Sequence, residues 1–158
     1  MKRLDTESLR ALCAQAADSP RQRTHALWHA DHGDAVQRLV MAMQPGTYVR
    51  PHRHADPDKW ETLLALRGRV VLMTFDDGGV VTGRIQLAPG AGSPVVELPA
   101  ATWHTLVALE RDSVLFEFKP GPYAPQEFAA WAPAEGDAAA AATEVWLKSA
   151  APGARFAG

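Results

Sequence analysis

The segment Gly46-Thr-Tyr-Val-Arg-Pro-His-Arg-His54 contains two histidines that are separated by a single residue. We interpret this segment as a strand, on which alternate side chains leave the same face about 6.6 Å apart. The imidazoles of His52 and His54 can therefore converge on one ion. Alone, such a pair is a weak signal, because histidines also cap turns and occupy polar sites in protein cores.

Two further residues of the metal-ligand type follow this pair along the chain. Glu61 opens the next apolar segment, and His104 lies at the head of the later segment Trp103-His-Thr-Leu-Val-Ala-Leu109. Imidazole and carboxylate groups together suit several divalent metals. A candidate site thus contains four residues.

Between Thr47 and Lys119 the chain breaks into short segments rich in Val, Leu, Phe, Trp and Thr, separated by Gly, Pro and Asp. Asp77-Gly78 between two of these segments is a typical hairpin turn. This pattern predicts an antiparallel β-barrel or jelly roll. The predicted strands cover residues 47–54, 60–67, 69–75, 80–87, 94–98, 103–109 and 113–119.

Helices are predicted on both sides of these strands. Residues 5–17 have apolar residues at helical spacing, with Asp5 or Thr6 as the N-cap. A second helical period contains Val36, Leu39, Val40 and Met43, and a terminal helix is predicted near 137–148. We therefore expect an N-terminal helical extension over 1–44, a barrel over 45–123, and a helical or partly disordered tail over 124–158.

The composition limits the classes of function. The chain has 158 residues, 47% of them hydrophobic, which suits one domain with an ordinary core. Sixteen Lys and Arg against eighteen Asp and Glu give a net charge of −2, which disfavours a nucleic-acid partner. No run is long enough for a membrane span and the first residues do not form a signal peptide, so we expect a cytoplasmic protein.

The spacing of Gly46, His52, His54, Glu61 and Gly68, followed by Pro99 and His104, resembles the two motifs of the cupin superfamily. This resemblance implies a small antiparallel cupin barrel with one divalent metal ion, either zinc, iron, manganese or nickel. The implied ligands are His52, His54, Glu61 and His104. The chain departs from the second motif at Ala101, where glycine is usual, and at Ala108, where asparagine is frequent.

Several longer sequence segments resemble the WbuC family of cupin-fold metalloproteins over roughly residues 20–133. Members of that family are associated with bacterial polysaccharide and O-antigen gene clusters, which implies a role in that metabolism. The segments are residues 45–54, Lys59-Trp-Glu61, Leu66-Arg-Gly-Arg69, Thr102-Trp-His-Thr-Leu-Val-Ala-Leu109 and Phe118-Lys-Pro-Gly-Pro-Tyr123, with Arg21, Arg23 and His29 before them.

Strand parity predicts which other side chains face the metal. It carries Arg50 and Tyr48 to the face of His52 and His54, provided that Pro51 introduces no bulge. A guanidinium beside a cation needs an anion, so we expect a small anionic ligand. The alternative is that Arg50 pairs with Glu117 or Glu61.

On the last strand, Leu115, Glu117 and Lys119 share one face. Glu117 and Lys119 either line the cavity and contact the ligand or form a solvated outer face. Arg21 and Arg23 either reach over the mouth of the barrel or belong to a soluble linker. His25 and His32 are expected at the surface or as caps, and His29 behind the metal ligands.

Three functions remain open. The first is a metal-dependent enzyme for a small anionic or sugar-derived substrate. The second is a non-catalytic module that binds or senses a carbohydrate or an acid. The third is a metal-free sugar isomerase or epimerase with His52 and His104 as acid and base. A homodimer is expected because it is the commonest symmetric assembly.

Overall fold

The computed structural model describes residues 1–56 and 58–156, which form two five-stranded antiparallel sheets with a helix near each end. In spatial order the first sheet is β1-β2-β9-β4-β7, and the second is β10-β3-β8-β5-β6. This mainly β jelly roll confirms the predicted fold class. The elements are α1 (Thr6–Asp18), β1 (Arg23–Leu27), β2 (Val36–Met43), β3 (His52–Arg53), β4 (Glu61–Arg67), β5 (Val70–Phe75), β6 (Val81–Leu87), β7 (Val95–Leu98), β8 (Trp103–Ala108), β9 (Ser113–Pro120), β10 (Glu127–Phe128) and α2 (Ala140–Ser149).

A shared apolar core joins the two sheets. Met43, Leu63 and Leu115 from the first sheet pack in one cluster with Leu72 and Leu106 from the second. The first four of these side chains are fully buried. Burial on this scale is the main favourable contribution to folding.

The helix predicted around Val36–Met43 is wrong, because this segment is β2. Its last four residues are all buried: Met41 and Met43 contribute to the core between the sheets, while Val40 and Ala42 are covered by α1. A strand that is buried on both faces loses the alternation of polar and apolar residues, and here the apolar positions matched a helical period.

α1 matches the predicted N-terminal helix, with Asp5 as its N-cap accepting a hydrogen bond from the Ser8 backbone N–H at 3.0 Å. Its buried residues Leu12, Cys13 and Ala16 pack on the outer face of β2 and β9. β1, which the sequence analysis did not predict, pairs with β2 along its full length.

The C-terminal segment is held more firmly than we expected. After α2 the chain returns to the start of β6, where the Gly153 N–H donates to Val81 O and the Val81 N–H donates to Ala154 O, both at 2.8 Å. Phe156 also donates to Gly79 at 3.1 Å. The last two residues, Ala157 and Gly158, lie outside the described part of the chain.

The three-part division of the chain stays a prediction, although the sheets begin before residue 45 because β1 and β2 belong to the first sheet. Within the described residues, no helix has the length and hydropathy that a membrane span requires.

Candidate metal centre

The second sheet brings the two histidine motifs together. His52 on β3 and His104 on β8 are direct partners across the ladder, and their ring centroids lie 4.4 Å apart. The ring of His54 is 5.7 Å from that of His52 and 6.0 Å from that of His104. One ligand atom from each of the three buried histidines lies within 4.8 Å of the other two. The three imidazoles could therefore hold one metal ion.

Backbone carbonyls orient two of these rings. Nδ1 of His52 lies 2.9 Å from Arg50 O, and Nδ1 of His104 lies 2.9 Å from Thr102 O. Because a carbonyl only accepts, each Nδ1 carries the proton and donates it, which leaves Nε2 with a lone pair when the ring is neutral. Burial and the neighbouring His104 lower the pKa of His52 to about 3, so His52 is neutral. This is the form that binds metals.

The loop before β8 shows why glycine is usual at the position where this chain has Ala101. Ala101 has a φ of 60°, in the left-handed region that favours glycine, and its N–H donates to His54 O at 2.9 Å. Glycine is usual here because this backbone conformation strains other residues.

Glu61 brings a carboxylate to the same point. Its Oε2 lies 3.2 Å from His104 Nε2 and 3.4 Å from His54 Nε2, yet this buried oxygen has no hydrogen-bond partner in the described structure. Burial raises the pKa of the Glu61 carboxyl, but His104 and His54 lower it more, and the net result is a pKa well below the usual range. The carboxyl group is therefore ionised.

The donor set fits a divalent metal. An ionised carboxylate oxygen faces nitrogen lone pairs in a buried space, and such an arrangement needs a cation between the groups. Three imidazoles with one carboxylate are a common set for zinc, iron, manganese or nickel. Glu61 is not part of the compact histidine group, so its role as the fourth ligand stays a prediction.

Without a metal, a proton can supply that positive charge. Burial lowers the pKa of His104, but the Glu61 carboxylate raises it more, so the net pKa lies above the usual value. His104 Nε2 and Glu61 Oε2 lie 3.2 Å apart, so a protonated His104 would form an ion pair with the Glu61 carboxylate.

Glu117 and Lys119 lie on the cavity wall and not on a solvated outer face. Lys119 Nζ donates to Glu117 Oε1 at 2.6 Å and lies 3.2 Å from His54 Nε2. Burial raises the pKa of Glu117 to about 7, and the nearby Glu61 carboxylate contributes to this shift. Burial lowers the pKa of Lys119, but Glu117 and Glu61 raise it more, so the amine stays charged. Their contact with a ligand stays a prediction.

Beside the histidines lies a cavity of about 470 Å³. Four cationic residues line it, Arg21, Arg23, Arg50 and Lys119, against three acidic residues, Glu61, Glu117 and Glu135. A divalent metal would add to this excess of positive charge. The anionic ligand stays a prediction.

Arg50 has no carboxylate partner in the part of the chain that the structure describes. Its Nη2 donates to Ala129 O at 2.8 Å, its guanidinium lies 5.4 Å from the centroid of the Phe128 ring, and its buried Nε has no hydrogen-bond partner among the described residues. None of the ion pairs among described residues involves Arg50. The alternative in which Arg50 balances Glu61 or Glu117 is therefore not observed.

Tyr48 does not lie in this cavity, contrary to the parity argument. Its side chain is buried among Val71, Phe75 and Trp103, and its hydroxyl donates to Pro133 O at 2.9 Å. Residues 47–51 pair with no strand in the described part of the chain, and β3 begins only at His52. The two-residue period of a regular strand therefore does not hold across Pro51.

Arg21 and Arg23 reach the cavity and share one acidic partner, Glu135, so the linker interpretation is wrong. Arg23 is buried and also donates to Tyr48 O at 2.9 Å. The sequence analysis missed Glu135, because it lies in the Ala- and Pro-rich tail where no motif marks it.

The remaining histidines, His25, His29 and His32, also line the cavity. His25 and His32 are exposed, as expected, whereas His29 is buried, with Nδ1 2.9 Å from Arg38 O. The ring of His32 lies 4.6 Å from that of Tyr123. None of the three belongs to the compact metal-binding group found among the described residues.

A family model described as "Domain of unknown function (DUF6016)" matches residues 4–87, just over half of the chain. The chain belongs to the DUF6016 family. A search of the curated proteins gave no significant match. Membership of the WbuC family is not confirmed.

Solved structures with the same fold are cupin superfamily proteins. An oxalate oxidase in complex with glycolate is 13% identical with a TM-score of 0.55, and the match covers 71% of this DUF6016 chain and 57% of that chain. KdgF from Halomonas sp. is 21% identical with a TM-score of 0.50, covering 66% and 84% of the two chains. A cupin superfamily protein from Desulfitobacterium hafniense DCB-2 is 18% identical with a TM-score of 0.52, covering 69% and 86%.

These identities are low, so the likeness shows the cupin fold and not an activity. The DUF6016 chain also spans only a little over half the length of the oxalate oxidase.

Proposed function

We propose that this chain binds one divalent metal ion through His52, His54 and His104, with Glu61 as a fourth ligand, and acts as an enzyme on a small anionic molecule in the adjoining cavity. One observation carries the proposal: three buried imidazoles converge beside the buried Glu61 Oε2, which has no hydrogen-bond partner among the described residues. A buried polar atom without a hydrogen bond is costly, which makes a site of this kind unusual unless it binds a cation.

When bound, a divalent metal polarises an oxygen of the ligand or lowers the pKa of bound water. The protein side chains provide the orientation. Arg50, whose guanidinium has no carboxylate partner among described residues, would hold an anionic group. Glu117, with a pKa of about 7, would accept or release a proton at its carboxylate near neutral pH.

The chemical class of the ligand follows from charge. Two of the cationic residues on the wall, Arg21 and Arg23, share one carboxylate, and Lys119 contacts a second. Arg50 and the metal are therefore the positive charges that remain available to contact the ligand. A carboxylate or phosphate therefore suits the cavity better than a neutral molecule.

A place in bacterial polysaccharide (O-antigen) metabolism, and a sugar-derived substrate, rest on the resemblance to the WbuC family. A homodimer and a cytoplasmic location are likewise proposals. The homodimer rests on the general frequency of symmetric dimers.

A second candidate is acid–base catalysis without metal, by His52 and His104. It is favoured by the raised pKa of His104, whose Nε2 lies 3.2 Å from Glu61 Oε2. Non-catalytic binding or sensing would use the same cavity. A requirement for metal distinguishes the metal-dependent enzyme from the acid–base alternative. Turnover distinguishes either enzyme from the binding module.

The test begins with protein purified without chelator or nickel resin, followed by elemental analysis. Metal-loaded and chelated samples are then screened against sugar acids and sugar phosphates, with calorimetry for binding and mass spectrometry for products. We expect about one metal per chain, and turnover that is lost on chelation. Turnover that survives complete metal removal would favour the acid–base alternative, and binding without turnover would favour the binding module.

A further inference from the structure

Lys119 lies at the boundary between the histidine cluster and the cavity. Its ammonium group contacts His54 Nε2 at 3.2 Å and Glu117 Oε1 at 2.6 Å. An ammonium group only donates, so this contact uses the lone pair of His54 Nε2.

The same nitrogen faces the centre of the candidate metal site. Glu61 Oε2 is 3.4 Å from His54 Nε2 and 3.2 Å from His104 Nε2, so both nitrogens point to one place. A nitrogen with one lone pair cannot bind a metal and accept a hydrogen bond at the same time. Lys119 and a metal therefore compete for His54.

Lys119 cannot move far once it is displaced. β9 carries it between β2 and β4, where Gln37 is its ladder partner, and Glu117 on the same face accepts a hydrogen bond from its ammonium group. Its ammonium group then lies in the cavity beside a metal of the same charge sign. An anion between the two cations relieves that repulsion.

We propose that Lys119 occupies His54 Nε2 in the metal-free chain, and that metal binding transfers its ammonium group to an anion in the cavity. Metal and anion therefore bind cooperatively. The inference rests on the proposed function, because it requires the histidine cluster to be a metal site. Lys119 is a positioning residue for the ligand, in addition to Arg50.

Zinc titration by calorimetry tests the first half of the proposal, the competition between Lys119 and the metal for His54. The purified chain is stripped of metal before the titration. Lys119→Met has similar length and no charge, and we expect it to bind zinc about tenfold more tightly than the parent. The matched control is Lys148→Met, since Lys148 pairs with Glu144 on α2 and does not line the cavity. Its zinc affinity should equal that of the parent.

Acetate, a minimal carboxylate, tests the second half of the proposal, the contact between Lys119 and an anion in the cavity. The zinc-loaded parent should bind acetate at least about tenfold more tightly than the metal-free parent, because only metal binding frees Lys119. Zinc-loaded Lys119→Met should lose most of this gain, whereas zinc-loaded Lys148→Met should keep it.

Equal zinc affinities of the parent and Lys119→Met would overturn this inference alone, while a parent that binds no zinc would overturn the proposed function with it. A crystal structure of the zinc-loaded parent gives an answer even if the variant does not fold. We expect Lys119 Nζ to have left His54 Nε2. A Lys119 that still contacts His54 Nε2 beside bound zinc would contradict the proposal.

Discussion

His52 and His104 face each other across the ladder between β3 and β8, and their imidazole centroids lie 4.4 Å apart. β3 comprises only two residues, and β10 pairs with its other edge. The backbone register therefore brings two distant histidine motifs together. Removing one imidazole should remove a metal donor without removing the pairing of the strands.

Replacement of His104 by Ala should weaken metal binding by at least about 100-fold, since even residues that only support a ligand contribute 10–100-fold. The β circular-dichroism signal should be mostly retained. Competition with a chromophoric chelator measures the affinity. A variant that binds metal as tightly as the parent would show that the two motifs do not form one site.

Glu61→Gln should have a milder effect than His104→Ala, because the amide removes the charge but keeps an oxygen donor. The same chelator competition measures this difference. If Glu61→Gln lost more affinity than His104→Ala, the carboxylate and not the histidine group would dominate the site.

Arg50→Gln should weaken binding of a carboxylate or phosphate ligand about ten- to hundredfold, because a charge-assisted contact contributes roughly 1.5 to 3 kcal/mol. Metal content should not change. Arg69→Gln is the matched control, since Arg69 pairs with Glu110 and does not line the cavity. Calorimetry with sugar acids and sugar phosphates measures both variants, and equal ligand affinities would exclude Arg50 as the anion holder.

Glu117 should make the stability of the metal-free chain depend on pH. Burial raises its pKa from 4.5 to about 7 in the folded state, so the folded chain keeps a proton that the unfolded chain releases. This contribution to stability is present below pH 4.5 and is lost as the pH rises through 7.

Glutamine at this position does not titrate, so Glu117→Gln should gain stability relative to the parent as the pH rises from 4.5 to 7, by on the order of 2 kcal/mol. Urea unfolding in the presence of a chelator at several pH values measures the difference. A difference that is independent of pH, or that changes in the opposite direction, would contradict the raised pKa.

The sequence predicted the site best where the strands are regular. β9 is paired on both edges, and its two-residue period correctly predicted that Leu115, Glu117 and Lys119 share one face, which the structure places on the inner side of the sheet. The parity argument failed for Tyr48, because residues 47–51 join no ladder. A period of two applies only where hydrogen bonds to neighbouring strands maintain the pleat.

Long-range packing explains the other errors. β2 resembled a helix because α1 covers its outer face, and no local pattern reveals that cover. Glu135 comes from a tail without a motif, although it pairs with Arg21 and Arg23 at the cavity. Such contacts depend on where distant segments return, which a single sequence does not show.

The central claim is most directly tested by elemental analysis of a His52→Ala, His54→Ala double variant. Its matched control is the His25→Ala, His32→Ala double variant, which removes two histidines that line the adjoining cavity but lie outside the compact group. After reconstitution with zinc and removal of excess metal, we predict about one metal per chain in the parent and the control, and almost none in the His52, His54 variant. Stoichiometric metal retained by that variant would contradict the assignment of these histidines as the metal site.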